Sequence, residues 1–440
     1  MSAMRVALLY PEVYDMARFR ERRREFPPFG ALYLAAVLED AGHEVAVVQV
    51  RPDEPTLDLT GFEAVGFSLA SSATYGFMAA ARARSRIDPG SLVMVGGVHA
   101  NFYPDDALRD FAADVVCVGE SEETILDLLA RASAGQPVTG IAGTRWAEDG
   151  QIRSGLPRLL IRDIDRLPLP ARHLLPVEDV VMTDRLAGHD VRMAHVMFSR
   201  GCPFPCSFCA AGQTRIQYRS GASAYTELAH LVDRYRIGGF AIVDDNFVVN
   251  KRKVADICDA VADLDLSWSA LSRVDTVDAA LLKTMAASGC IEIKYGVESG
   301  SEPLLRAMRK NTTRAEIKAA FAATADAGIG AKAFIIHGFP GEDRQTTDET
   351  ISLLGELGSS LTRVSLFRFV PLPGTQVYAD PDVHALRGLH TQFDWDGDWS
   401  KFHIHHNDRH WWGSPDQWAE LEDSYHRLRG FVEDHWGAQG

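Results

Sequence analysis

Three cysteines stand within eight residues of one another, in Phe198-Ser-Arg-Gly-Cys202-Pro-Phe-Pro-Cys206-Ser-Phe-Cys209. The spacing CxxxCxxC puts three thiolates in one loop rich in Pro and Gly, and such soft ligands suit zinc or iron–sulfur. Structural zinc prefers paired CxxC units and a fourth ligand, and no fourth Cys or His lies nearby. Three thiolates would instead leave one iron of a [4Fe–4S] cluster open to a substrate or cosubstrate. A zinc site and a chance group of core cysteines are the rival readings. Cys117, Cys258 and Cys290 are scattered among apolar residues, and six cysteines in 440 residues make no disulfide framework. Downstream, charged residues close several apolar runs: Asp244 and Asp245, Arg273, and Glu298. Each could hold a ligand. The plain alternatives are a helix N-cap for the Asp pair and a buried ion pair for Glu298. Tyr218, shortly after the cysteines, could line a substrate space and donate a proton or hydrogen atom, or be an ordinary core or surface tyrosine.

The surrounding pattern says how these residues are positioned. From Ala194 the chain alternates strands and helices, with strands expected at Ala194–Ser199, Gly239–Asp244, Leu266–Leu271, Ile291–Val297, Ala331–Gly338 and Arg363–Phe369. Six βα units predict a parallel barrel or an incomplete one. The cysteines then follow the first strand, Asp244 and Asp245 end the second, Arg273 the third and Glu298 the fourth, all at the face where barrel enzymes do chemistry. The first 140 residues alternate too, with strands near Arg5, Glu44, Ala64, Leu92 and Asp114. A helix from Gly30 to Ala41 carries Leu34, Val37, Leu38 and Ala41 on one face. This predicts a doubly wound parallel sheet, α/β in class, with Ser68, Gly96, Gly97 and Gly119 at the carboxyl ends of strands, where such sheets bind ligands. The expected division is residues 1–140, a linker over 141–190 containing Leu167-Pro168-Leu169-Pro170, a barrel over 191–380 and a cap over 381–440. Six of eight Trp and eight of 15 His lie in that cap.

Composition is ordinary for a globular protein, at 46% hydrophobic and 24% charged residues. With 45 basic and 60 acidic residues the net charge is −15, which repels phosphate polymers and argues against a nucleic-acid partner. A cationic small-molecule substrate would suit it. No apolar run reaches a membrane span, and the start MSAMRVALLYPEVYD reads as a strand entering a turn rather than a signal peptide. A cytoplasmic protein with no membrane partner is expected.

The cysteine loop, with aromatic Phe208 before its last Cys and a βα barrel around it, resembles the radical SAM superfamily. Gly239-Phe-Ala-Ile-Val-Asp244-Asp245-Asn246-Phe247, Arg273-Val-Asp275, Tyr295-Gly-Val-Glu298-Ser-Gly300-Ser301, His337-Gly338-Phe-Pro340-Gly341-Glu342 and Pro371-Leu-Pro373-Gly374-Thr375 match one large branch of it. The resemblance implies that Cys202, Cys206 and Cys209 hold a [4Fe–4S] cluster whose open iron binds S-adenosylmethionine. One electron, from a donor such as flavodoxin or ferredoxin, would then release a 5′-deoxyadenosyl radical. Phe208, Asp244, Asp245, Arg273, Glu298 and Gly338 become candidate cofactor contacts. Carboxylates would meet the ammonium and ribose, Arg273 a carboxylate, and glycine would allow close backbone approach. The N-terminal block resembles the cobalamin-binding domain that precedes many radical SAM barrels. Pro27-Pro28-Phe29-Gly30-Ala-Leu-Tyr-Leu-Ala-Ala-Val-Leu, Gly96-Gly97-Val-His99-Ala and Val118-Gly119-Glu120-Ser-Glu122-Glu123 carry that likeness, and Ser68 precedes Gly96 by 28 positions. The older form's DxHxxG is absent, so no histidine from that loop ligates cobalt. Cobalamin-dependent radical SAM proteins lack it too.

The expected activity is therefore cobalamin-dependent C-methylation of a small biosynthetic molecule. Radical dehydration or deoxygenation of a sugar or aminoglycoside, with the first domain as scaffold, is the rival. A non-enzymatic cobalamin or metal sensor is another. His403, His405, His406 and His410 have spacings that could bind metal, and the tail could equally be a packing layer.

Overall fold

The computed structural model describes residues 2–12, 27–51, 56–186, 188–379, 398–403 and 409–437. The chain divides into two compact units, Met1–Val180 with Gly397–His403, and Val181–Asp396 with Ile404–Gly440. Among the described residues no helix is long and apolar enough to cross a membrane.

The first unit is built on one sheet. Its strands are β1 (Arg5–Pro11), β2 (Glu44–Val50), β3 (Ala64–Ser68), β4 (Leu92–Gly96), β5 (Val115–Cys117), β6 (Thr144–Glu148) and β7 (Gln151–Ser154), in spatial order β2-β1-β3-β4-β5-β6-β7. The first five are parallel. Covered on both faces, they read as apolar runs: Val6, Leu9, Val65, Phe67 and Val95 are all buried. Helix Phe29–Asp40 buries Ala31, Leu32, Ala35, Val37 and Leu38, whereas Leu34 is half-buried and Ala41 is the exposed C-cap. The buried stripe is wider than the expected one because small residues let the helix sit close to the sheet.

Residues 135–195 hold more order than their irregular patterning suggests. β6 and β7 form an antiparallel hairpin on the sheet's edge. Asp149 and Gly150 join them with φ of +53° and +74°, the left-handed pair that the tightest hairpins favour. Asp-Gly is a strong hairpin signal, and it was legible. A second hairpin opens the other unit, where β8 (Val181–Leu186) pairs antiparallel with β9 (His189–Val196).

In that unit β9 is followed by β10 (Gly239–Ile242), β11 (Ser267–Ser272), β12 (Cys290–Glu298), β13 (Gly330–His337) and β14 (Arg363–Arg368). They lie side by side in chain order, all parallel, with β8 on the outer edge and no closure between the ends. This is the incomplete barrel. Its helices start at side-chain caps: Ser220 for Gly221–Tyr235, Asn250 for Lys251–Val261, Asp278 for Ala279–Ala287, and capping boxes at Thr313 and Asp343 for Arg314–Asp326 and Arg344–Leu357. The expected single Trp/His-rich cap divides. Trp399–Phe402 goes with the first unit, where Trp399 packs on Tyr75, His99 and Tyr103. Helix Pro415–Trp436 goes with the second, tied to helix Arg344–Leu357 by Arg427–Asp348.

Candidate functional site

The cysteine loop leaves β9 through a narrow neck, where Ser199–Arg200 pairs antiparallel with Gln217–Tyr218. Inside it, Cys202 N–H donates to Thr214 Oγ1 at 2.8 Å and Thr214 N–H to the Cys202 carbonyl at 2.9 Å. Gly201 has φ +85°, and a Cβ there would lie 2.6 Å from the Arg215 carbonyl, so only glycine closes this neck. Ser207 N–H donates to the Met308 carbonyl, and Val377 N–H to Ser207, fixing the loop to the barrel. Cys202 and Cys206 are buried and Cys209 half-buried. Burial pushes the Cys202 thiol up, and that of Cys209 to about 11, with the nearby Cys206 and Asp245 adding to both. Such thiols stay protonated unless a cation answers them. Among the described residues no three Cys, His, Asp or Glu converge to hold one metal ion. Three thiols carried on one pinned loop are a donor set in which each can ligate a different iron of a [4Fe–4S] cube. The donor set fits the cluster.

The residues at the strand ends have definite partners. Asp244 is buried, accepting from Phe198 N–H at 2.9 Å and Ser199 Oγ at 2.6 Å; burial lifts its carboxyl to about 8. It clamps β10 to the exit of β9. Asp245 is the exposed member of the pair, held by the Gly201 N–H beside the cysteines. Next to it Asn246 is 2% exposed, and among the described residues neither its amide oxygen nor its nitrogen has a partner. A buried orphan amide beside the cluster loop suits a polar cofactor such as S-adenosylmethionine. Asn246 follows Asp245 directly in the sequence, but no local pattern marks its amide as buried and unpaired.

Glu298 ends β12 at a break in register with β13, with φ +68°. A bulge with left-handed backbone in a non-glycine residue re-aims a side chain at some cost. Its Oε1 accepts from Lys310 Nζ at 2.9 Å, both groups buried, so the ion pair is formed. Gly296 makes room for that pair: its Cβ would lie 2.4 Å from Glu298 Oε1. Arg273 donates to Cys206 Sγ at 3.3 Å, to both Asp275 oxygens and to the Lys310 carbonyl. The carboxylate it meets is Asp275. Its guanidinium also lies 4.0 Å above the Phe204 ring. Phe204 is therefore the loop aromatic with a defined contact, while Phe208 is half-buried between the last two cysteines. Gly338 takes φ +87°, donates to Glu342 and accepts from Trp412 Nε1 at 2.7 Å. Tyr218, the expected candidate for proton or hydrogen-atom donation, has its hydroxyl engaged by backbone. Its hydroxyl donates to the Phe247 carbonyl at 2.7 Å and accepts from Val249 and Asn250 N–H, which ties down the turn after β10.

In the first unit Ser68 lies opposite Gly96 in the register of β3 and β4. Leu69 N–H bonds the Gly96 carbonyl, and Gly119 N–H bonds Asn101 Oδ1 at 2.8 Å. The three strand ends thus meet at one carboxyl edge. Gly97 has φ +102°, and a Cβ would sit 2.8 Å from the Leu69 carbonyl. Glycine there lets the chain pass close to Leu69. His99 is buried behind it, its Nδ1 on Ser72 Oγ at 2.9 Å and its Nε2 without a partner among the described residues. An orphan ring nitrogen at the ligand edge of a doubly wound sheet fits a bulky polar cofactor such as cobalamin. Of the tail histidines, His405 and His406 lie outside the described residues, His403 goes with the first unit, and His410 bonds Glu422 at 3.0 Å in the second.

Comparison with known proteins agrees with both halves. Residues 18–129 match the model of the B12 binding domain and residues 196–354 that of the Radical SAM superfamily. An uncharacterised methyltransferase of Pyrococcus horikoshii is 30% identical over 86% of this chain and 83% of its own length. The cytidylyl-2-hydroxyethylphosphonate methyltransferase of Streptomyces wedmorensis is 25% identical over 83% of this chain and 81% of its own. The fold matches that of the radical S-adenosylmethionine methyltransferase TsrM from Kitasatospora setae, solved with cobalamin and a [4Fe–4S] cluster bound. That match has a TM-score of 0.69 at 15% identity, and covers 98% of this chain and 89% of that one. Three thiols in a pinned loop on an open barrel, preceded in the sequence by a B12-type domain, therefore place this chain in the radical SAM superfamily, in the branch that carries an N-terminal B12-binding domain.

Proposed function

We propose that the protein methylates an unactivated carbon of a small molecule. The observation that carries this reading is the joint match of this chain to a B12-binding domain and a Radical SAM domain, beside a 30% identical relative named as a methyltransferase and matched over 83% of its length. When bound, the cluster with S-adenosylmethionine supplies a carbon-centred radical, and cobalamin supplies a transferable methyl group. The chain's own residues bind and orient. Cys202, Cys206 and Cys209 hold the cluster. Asp245 and Asn246 face the methionine ammonium and carboxylate, with Asp244 keeping their turn in place. The Glu298–Lys310 pair presents its carboxylate at the end of β12, and the loop from Gly338 lets backbone approach the nucleoside. Ser68, Gly96 and Gly97 form the edge that receives cobalamin, with His99 behind it. A low-potential one-electron donor of the flavodoxin or ferredoxin class serves the cluster, and six free cysteines suit a reducing cytoplasm.

The test is cofactor and product analysis of anaerobically purified, reconstituted protein given S-adenosylmethionine, cobalamin and reductant. Cobalamin near one per chain, with both S-adenosylhomocysteine and 5′-deoxyadenosine formed, is the expected result. Iron and sulfide without cobalamin uptake, and 5′-deoxyadenosine as sole product, would sink methylation in favour of a dehydratase.

A further inference from the structure

We propose that Arg273 sets the reduction potential of the cluster by donating a hydrogen bond to the Cys206 thiolate, and that Asp275 opposes it. The proposal rests on the reading that Cys202, Cys206 and Cys209 hold a [4Fe–4S] cluster. Arg273 is 6% exposed and held from several sides. Nε and Nη2 grip the Asp275 carboxylate at 2.9 and 2.7 Å, Nη2 also donates to the Lys310 carbonyl at 2.7 Å, and Nη1 reaches Cys206 Sγ at 3.3 Å. The ring of Phe204, two residues before Cys206, lies against the guanidinium face at 4.0 Å. Four of its five N–H donors are therefore engaged. A residue so placed is poorly disposed to bind a cofactor carboxylate as well. It is well placed to act on the sulfur it touches.

The chemistry is a charge argument. One electron passes from a low-potential one-electron reductant to the cluster. The cluster's charge falls by one, no bond to Arg273 forms or breaks, and no proton moves. A permanent cation and an N–H donor on a ligand sulfur stabilise the more negative, reduced state more than the oxidised one, and so raise the potential. Guanidinium stays protonated throughout, and its fixed bonds leave little to reorganise. Asp275 sits on the far side of the same guanidinium, at 26% side-chain exposure. Its charge partly cancels that of Arg273 at the sulfur.

The two residues should thus act in opposite directions. Arg273→Gln is expected to shift the reduction equilibrium about tenfold toward the oxidised cluster, which is about 59 mV for a one-electron couple. Asp275→Asn should shift it a few-fold the other way. The measurement is a redox titration of the reconstituted full-length protein without S-adenosylmethionine, followed by the electron paramagnetic resonance signal of the reduced cluster. Binding of S-adenosylmethionine to the oxidised protein is measured beside it. Should Arg273→Gln fail to take up iron, Arg273→Lys and Asp275→Asn carry the test. Potentials unchanged within twofold, or shifted the same way by both variants, overturn the proposal. So does a loss of S-adenosylmethionine affinity at unchanged potential, which would make Arg273 a contact of that molecule. If wild-type protein gives no iron–sulfur signal, the cluster reading has failed, and that outcome is distinct from the others.

Discussion

Asn246 and Glu298 illustrate how a single side chain can be costly in the empty protein and useful in the loaded one. An unsatisfied buried amide costs roughly 1–3 kcal/mol. Replacing Asn246 by Leu should therefore raise the stability of the apoprotein by about 1 kcal/mol and weaken S-adenosylmethionine binding by about tenfold, since a lost hydrogen bond of about 1.4 kcal/mol is one decade. Chemical denaturation and a binding titration on the same variant check both halves. A variant less stable than wild type would mean that the amide has partners after all. Glu298→Ala leaves the Lys310 ammonium buried and alone, and should cost about 3–5 kcal/mol. Removing both charges together, as Glu298→Gln with Lys310→Met, should recover most of that stability. S-adenosylmethionine affinity of the double variant then reports on Glu298 without the folding defect. At the cysteines the outcome is sharper. Alanine at Cys202, Cys206 or Cys209 should abolish the cluster's visible absorbance and all S-adenosylmethionine cleavage, while single replacements of Cys117, Cys258 or Cys290 keep the iron. Normal cleavage by the triple variant, or zinc as the native metal, would refute the assignment.

At the scale of elements, the strand ends are held by glycines that answer to packing. Gly97→Ala puts a Cβ against the Leu69 carbonyl at φ +102°, which should cost about 1–3 kcal/mol. The loss should appear as earlier unfolding of the first unit, with iron content untouched. Reduced cobalamin retention in that variant would therefore report fold damage as much as a lost contact. Ser68→Val, which keeps the backbone, is the better probe of the edge itself. The same logic holds at Gly201, whose conformation lets the neck of the cysteine loop close against Arg215. The loop's shape precedes its metal: backbone bonds to Thr214, Met308 and Val377 hold it where the barrel strands end.

For the molecule as a whole, buried titratable groups give the two units different responses to pH. In the first unit His99 is held neutral, its pKa lowered by burial to about 4. The unfolded chain binds that proton from about pH 6.5 downward while the folded unit does not, so stability falls on acidification, by up to about 1.4 kcal/mol per pH unit. In the second unit burial raises Asp244 and Glu342 to about 8. These groups stabilise fully at pH below their unfolded values, and that contribution is lost as pH rises toward 8. His337, lowered to about 3 by burial, opposes them only below pH 6.5. Rising from pH 6.5 to 8 should therefore loosen the second unit, and falling from 6.5 to 5 the first. Peptide-resolved hydrogen exchange, corrected for intrinsic rates, checks this. Protection changing in parallel in both units would exclude it.

The sequence by itself determined the cysteine loop, the alternation of strands and helices, and the presence of two α/β units, because each is written in local patterns of residue type and period. It also placed the acids, Arg273 and the glycines at strand ends. Only the tertiary structure decided what those residues do. Asp244 clamps β9 to β10, Glu298 pairs with Lys310, Tyr218 ties a turn, and Arg273 reaches Cys206 across 67 positions of chain. The hairpin at Asp149-Gly150 is legible in the sequence, whereas what comes close to Gly97 and Gly296 is not. A glycine in a sequence announces that something comes close. Whether that is a ligand, a buried ion pair or the chain's own backbone depends on contacts between residues far apart along the chain, which no local pattern encodes.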